Sequence, residues 1–424
     1  MRATLWFLAL FGVAVALALF AGNNQATVTL FWPPYRVDLS LNLVILVLLG
    51  SFVLVYAALR ALSALLALPA QARRWRLQQR ERALHAALVD ALSYLMSGRF
   101  LRARKSAESA LGQERALAAA GERLANAAQL CALSHLVAAE AAQSLQDRAT
   151  RDTHYREALE HLGPRSAGAG PDLREGTQLR AARWALDDRD PSAALQTLGE
   201  MPQGAARRTL ALRIRLKAER LSRQPQSALE TTRLLAKHRA FSPAAAQSLV
   251  RGLATELLHG AHDTTQLMRA WGTLEASERA MPELAVLAAQ RLMTLQGDPV
   301  LARSWLLPAW ERMIEPAGDM GSLLRFRLVR VLEAGLDSLD SDWLARIESA
   351  QQHNPRDPNL QYLAGMACLR RQLWGKAQQL LTQAAPGLQD TALHRNAWRA
   401  LAQLAEQRGD AAAALAAWKR AGEG

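Results

Sequence analysis

The residues of this chain that could do chemistry are few and widely spaced. His259 and His262 stand three apart beside Asp263, a spacing that sets both imidazoles on one helix face and offers a metal three donors. The same spacing also arises at an ordinary solvated helix end. His85 lies in a basic amphipathic segment and offers one imidazole to an iron porphyrin, or is simply half-buried. Asp187-Asp188-Arg189-Asp190 precedes Pro191, and there carboxylates suit the cap of a following helix better than a metal. Cys131 and Cys368 are the 2 cysteines; each falls on an apolar helix face and reads as core. Phosphate-loop, dinucleotide, serine-elbow and zincin patterns (GxxxxGKS/T, GxGxxG, GxSxG, HExxH) are absent from the sequence. The expectation is a non-enzyme without a resident cofactor or metal, with His85 the weak candidate for porphyrin binding.

The elements that would carry a binding surface are clearer. Two apolar stretches, each about 20 residues as a membrane helix requires, fill residues 1–68: the predicted spans are 3–22 and 39–59. A cleaved signal peptide, processed at Ala16-Leu17-Ala18, is the alternative reading of the first. The connector 23–38 has a partly alternating Val28–Trp32 run, then Pro33-Pro34, which stops a helix. It holds one basic residue, Arg36, whereas Arg60, Arg73, Arg74, Arg76, Arg80 and Arg82 follow the second span. By the positive-inside bias the connector is periplasmic and the large C-terminal body cytoplasmic.

Charge and cysteine usage agree with that placement. The net charge is +13 and the sequence pI about 10.6, but arginines are dispersed without interleaved aromatics. Anionic lipid is therefore the expected counter-charge for the basic segment below the membrane, and nucleic acid is not an expected partner. Two distant cysteines signal no disulfide framework and suit a reducing compartment.

From residue 70 on, apolar residues recur at three- and four-residue spacing, and Gly, Pro or Asp breaks recur between them. The last unit, with Trp398, Leu401, Ala402, Ala405, Gly409, Ala414, Trp418 and Ala421, resembles the tetratricopeptide repeat. The preceding unit matches with Gly365, Cys368, Ala377, Leu381 and Ala384, and an early one with Ala91, Tyr94, Gly98, Ala103, Ala107 and Ala110. Weaker copies centre on Ala194 and Ala228, at the 34-residue repeat length, and on Gly297, Ala302, Leu306 and Ala309. Small residues at such points let antiparallel helices approach closely; a plain helical bundle is the rival. The predicted fold is thus all-α: a two-helix transmembrane hairpin (1–68), a basic linker helix with the first repeat-like helices (69–162), and a tetratricopeptide-like superhelix (172–424). The Gly163–Pro171 segment reads as the loop between the last two. A superhelix offers a groove to extended peptides or helices. Arg180, Arg183, Arg213, Arg215, Arg325, Arg327 and Arg330 either receive carboxylates there or are merely solvated.

Several of these features in order resemble the HemY family of proteobacterial inner-membrane proteins. They are Met1-Arg2 and the first span, Ala21-Gly22, Val28-x-Leu30-x-Trp32, Tyr35-x-Val37-x-Leu39-Ser40-Leu41, the basic helix, and the Ala91–Lys105 segment. The resemblance implies a non-catalytic inner-membrane scaffold that supports a late step of protohaem (porphyrin) synthesis. Its partners would be the late haem-synthesis enzymes or other inner-membrane proteins, beside the lipid bilayer. The unrelated porphyrinogen oxidase of the same name needs a dinucleotide fingerprint that this sequence lacks. Two other readings stay open: an adaptor for another envelope or cell-division assembly, and a direct haem or porphyrin carrier.

Overall fold

The computed structural model describes residues 6, 10–16, 18, 22, 26–121, 124, 126–163, 171–315 and 320–423. Residues 6, 10–16, 18 and 22 are helical; the rest of the predicted first span, and residues 164–170 of the predicted loop, lie outside the described residues.

The all-α expectation needs one correction. The connector is an antiparallel β-hairpin, with β1 (Thr27–Trp32) paired to β2 (Tyr35–Ser40) from Thr27↔Ser40 to Trp32↔Tyr35. Thr27, Val28 and Thr29 are β-branched and suit extended backbone, and Pro33-Pro34 makes a two-residue turn. This pairing also shifts the second span. Leu39 and Ser40 end β2, and the Ser40 hydroxyl caps the following helix by accepting the Leu43 N–H (3.3 Å).

That helix, α1 (Leu41–Met96), is continuous for 56 residues, about 84 Å at ~1.5 Å per residue. Its Leu41–Ser63 segment has a mean hydropathy of 2.5, none of it buried, and is long and apolar enough to cross a membrane. The predicted basic linker helix is not a separate element; it is the second half of α1.

Two compact units follow the chain, Met1–Pro171 and Asp172–Gly424. In the first, α1 packs on α2 (Phe100–Ala119) and α3 (Ala127–Ser144), and α3 packs on α4 (Arg148–His161). Leu84, Leu88 and Ala91 of α1, spaced four and three, meet Ala107 and Ala110 of α2 and Leu130, Val137 and Ala138 of α3.

The second unit contains α5 (Pro171–Asp187), α6 (Pro191–Gly199), the short α7 (Gln203–Ala206), α8 (Thr209–Leu221), α9 (Pro225–Lys237), α10 (Pro243–His259) and α11 (Thr264–Thr273). It continues with α12 (Ala276–Arg279), α13 (Pro282–Thr294), α14 (Pro299–Ile314), α15 (Ser322–Ala334), α16 (Ser341–His353), α17 (Pro358–Arg370), α18 (Trp374–Ala384), α19 (Thr391–Gln407) and α20 (Ala411–Glu423). The sequence chemistry at their starts is regular. Proline opens α6, α9, α10, α13, α14 and α17, where its missing N–H is no loss. Side chains of Asp190, Asp263, Asp298, Asp340, Asp357 and Asp390 accept first-turn N–H groups.

A repeated turn identifies the hairpins. Gly98, Gln146, Arg189, Arg223, Gln296, Gln372 and Gly409 all have φ between +52° and +77°. Each is followed by an N–H that donates to a carbonyl five residues back, from Arg99 to Tyr94 (2.8 Å) through Asp410 to Ala405 (3.0 Å). This left-handed closure satisfies helix-end carbonyls and folds the next helix back. It joins α1–α2, α3–α4, α5–α6, α8–α9, α13–α14, α17–α18 and α19–α20. Neighbouring hairpins in the second unit are stapled by arginine. Arg213 donates to Ala240 O (3.0 Å), Arg291 to Ala261 O (2.8 Å), Arg303 to Gly335 O (2.8 Å) and Ser338 O (2.6 Å), and Arg371 to Leu339 O (2.8 Å). Many of the dispersed arginines are therefore structural caps on turns of the adjoining hairpin.

Candidate functional site

The residues singled out for helix packing sit at the hairpin seams. Ala103, Ala107, Ala377 and Ala402 are fully buried, and Ala414 nearly so. A Cβ on Gly365 would lie 2.8 Å from Leu381 Cγ and 3.0 Å from its Cδ2, so glycine allows α17 and α18 to close. Gly98 and Gly409 hold left-handed turns, with φ of 73° and 77°. Trp398 is half-buried beneath the Arg420 guanidinium, 4.6 Å from its ring, and donates Nε1–H to His394 Nε2 (3.0 Å). Trp418 is exposed and donates its indole N–H to Glu406 (2.7 Å).

The candidate ligands part company. Asp263 is committed to capping α11 (Gln266 N–H, 2.7 Å), and the His262 N–H donates to Gln266 Oε1 (3.1 Å). His259 lines a groove elsewhere, so the three do not form a common site. Asp190 caps α6 through the Ala193 N–H, and that hydrogen bond, with one from Ser192, holds its carboxyl below the usual carboxylate range. His85 is exposed and hydrogen-bonded to the Glu81 carbonyl of its own helix (2.8 Å). Burial, reinforced by Glu114, pushes the Cys131 thiol up to about 12, and burial also raises Cys368.

What the second unit does assemble is a groove on first helices of its hairpins. His259 of α10, Leu287, Gln290, Arg291 and Thr294 of α13, and Arg327, Arg330 and Val331 of α15 enclose about 750 Å³. An adjoining hollow of about 460 Å³ adds Glu283, Val286 and Leu323. Between α5 and α8 a further hollow of about 440 Å³ is lined by Leu179, Arg180, Arg183, Leu210, Arg213 and Lys217. The two places share a chemistry: exposed leucines (Leu210 58 %, Leu323 63 %) set among cations.

The arginines expected to receive carboxylates divide into two kinds. Arg325 is paired with Asp357 (2.9 Å), Arg330 grips Asp390 through Nη2 (2.5 and 2.6 Å) and Nε (3.1 Å), and Arg215 approaches Glu219 (3.9 Å). Arg213 caps Ala240 and lies against the Phe241 ring. Arg183 and Arg327 are exposed and have no hydrogen-bond or ion-pair partner among the described residues. They are free cations of these hollows, beside the exposed Lys217. Sequence reasoning could not make this division for Arg325 and Arg330, because their carboxylates lie about one and two repeats away, whereas Glu219 is four residues from Arg215.

Paired helices closed by a recurrent turn, with a groove on the first helices, define a tetratricopeptide-like helical-repeat protein. Residues 26–146, from the β-hairpin to just past the end of α3, match the family model described as the HemY protein N-terminus. No curated protein matches the chain in sequence. Solved structures similar to it include the APC/C hetero-tetramer Cut9-Hcn1 (14 % identity, 79 % of this chain and 65 % of that one, TM-score 0.28). Others are the P58(IPK) TPR domain (14 %, 77 % and 99 %, 0.22) and yeast Tom70 (14 %, 80 % and 69 %, 0.26). At such TM-scores these likenesses carry no weight; the fold rests on the hairpins themselves.

Proposed function

We propose that the chain is a non-catalytic scaffold of the inner membrane, supporting a late step of protohaem synthesis by binding acidic segments of partner proteins. The observation that carries the binding is the basic, leucine-studded groove with Arg183 and Arg327 left free for carboxylates. An acidic amphipathic helix or extended peptide complements it in both charge and apolar anchors. The HemY N-terminal segment supports the link to porphyrin synthesis, and Leu41–Ser63 supports the membrane anchor. In this reading a first span precedes the β-hairpin, the hairpin is periplasmic, and the body faces the cytoplasm beside the membrane's porphyrin enzymes. Tethering successive enzymes raises their effective concentration without new contact energy and limits escape of photoreactive intermediates. The test is co-purification from detergent extracts with the membrane segment intact, paired with porphyrin measurement in a deletion strain. Capture of late-pathway enzymes and accumulation of porphyrin intermediates is the expected result. Capture of unrelated envelope proteins with unchanged porphyrin pools would overturn it.

A further inference from the structure

The first unit holds a cluster of donor atoms that plays no part in the groove. On α4, His154, Glu157 and His161 follow one another at spacings of three and four, along a single helix face. Facing them from α3 is His135, only 3 % exposed. His135 Nδ1 lies 2.9 Å from His154 Nδ1 and 3.0 Å from Glu157 Oε2, and the third edge, His154 Nδ1 to Glu157 Oε2, is 3.7 Å. The His161 ring stacks on His135 at 5.5 Å between centroids, with 20° between planes, and covers it.

The size of this triangle is informative. A first-row divalent ion sits about 2.0–2.2 Å from nitrogen and oxygen ligands. That radius spaces neighbouring ligand atoms about 2.9–3.5 Å apart, from octahedral to tetrahedral geometry. Two of the observed edges, 2.9 and 3.0 Å, fall within that range, and the third, 3.7 Å, lies just above its upper end. Protons serve the arrangement less well. A neutral imidazole carries a single N–H, and a carboxylate carries none. Whichever tautomer is present, three electron-rich atoms share too few hydrogens, and a cation resolves all three contacts at once. The nearby Arg104 does not oppose it freely, being paired with Asp147 (3.3 Å) and Glu108 (3.8 Å). Glu157 is 42 % exposed, which leaves a route in from solvent.

We propose that His135, His154 and Glu157 form a binding site for a divalent first-row transition ion, with His161 packing against the inner ligand and at least one coordination position open to water. Two imidazoles select ions of the zinc, cobalt, nickel and iron(II) kind over magnesium or calcium, which favour all-oxygen sites. The site would clamp α3 to α4.

The test uses the untagged full-length chain in detergent, because a polyhistidine tag binds the same ions. Zinc(II) is titrated in competition with a chromogenic chelator, and cobalt(II) is followed by its visible ligand-field bands. One ion per chain is expected. Its affinity should fall at least tenfold in His154→Gln and in Glu157→Gln, remain unchanged in His262→Gln, and resist excess magnesium. His135 is buried enough that its replacement could disturb the fold; Glu157→Gln, at a partly exposed position, is read independently, with circular dichroism confirming helix content. Failure of the wild type to take the ion from the chelator overturns the proposal. So does binding in Glu157→Gln as tight as in the wild type, or equal competition by magnesium.

Discussion

Replacing Arg303 should loosen two hairpins rather than one residue's surroundings. Its guanidinium is 2 % exposed and donates to Gly335 O (2.8 Å), Ser338 Oγ (3.0 Å) and Ser338 O (2.6 Å), closing the end of α15 from the preceding hairpin. Hydrogen bonds from a charged donor contribute about 1.5–3 kcal/mol each. Against that gain stands the desolvation of a buried cation, several kcal/mol, which truncation relieves; the Nε of Arg303 is also without a partner. Arg303→Met keeps most of the volume but removes all three of these bonds, leaving Gly335 O only the longer contacts from the Ser338 N–H (3.4 Å) and hydroxyl (3.2 Å). The net loss should therefore be about 3–4 kcal/mol, local to α14, α15 and the turn at 335–338. Hydrogen exchange read by mass spectrometry on the full chain measures it. Since ~1.4 kcal/mol is a factor of ten, exchange across residues 322–340 should quicken by roughly two to three orders of magnitude, while α19–α20 change little. Acceleration of less than tenfold, with the segment still helical, would refute the stapling argument.

Other consequences can be checked separately. Gly365→Ala should destabilise by about 1–3 kcal/mol in thermal unfolding, because its Cβ would meet Leu381 at 2.8 Å. Gln372, at φ 62°, should gain up to about 1 kcal/mol on change to Gly, whereas Gly409→Ala, at φ 77°, should lose a similar amount. The Asp390 carboxyl is below its ordinary range: burial would raise it, but hydrogen bonds from Arg330 and Leu393 prevail. Its folded value being the lower, its contribution is complete above about pH 4 and is lost as pH falls through that folded value; acid unfolding of Asp390→Asn should show a shallower dependence below pH 4 than the wild type. Cys131, with its thiol pushed up to about 12, and Cys368 should resist alkylation at pH 8 until the chain is unfolded.

Parts of this architecture can be read from residue types alone. The apolar run that becomes Leu41–Ser63 is visible, and so are helix starts where an Asp cap precedes proline, as at Asp190-Pro191, Asp298-Pro299 and Asp357-Pro358. Small residues such as Gly365 and Ala377 signal close helix pairs because few side chains fit there. The β-hairpin was harder, since its alternation is brief and it adjoins helical sequence on its C-terminal side. Most left-handed turns were invisible: glycine marks them at 98 and 409, but glutamine and arginine occupy them at 146, 189, 223, 296 and 372, held by hydrogen bonding rather than by residue type. The roles of the arginines depend on carbonyls and carboxylates brought near by stacking, so Arg303 and Arg327 look alike in sequence and differ wholly in the fold. The His135–His154–Glu157 cluster is of the same kind. Only the spacing of His154, Glu157 and His161 along one face could have hinted at it.

The most direct test of the central claim is site-specific photocrosslinking from Gln290, which lines the groove on α13, in intact membranes. The account predicts that late porphyrin-synthesis enzymes are captured there through acidic segments, that capture weakens with salt, and that it falls at least tenfold when Arg183 and Arg327 are both changed to Glu. Undiminished capture in that double variant, or the same proteins captured equally from the exposed Leu415 on α20, would contradict it.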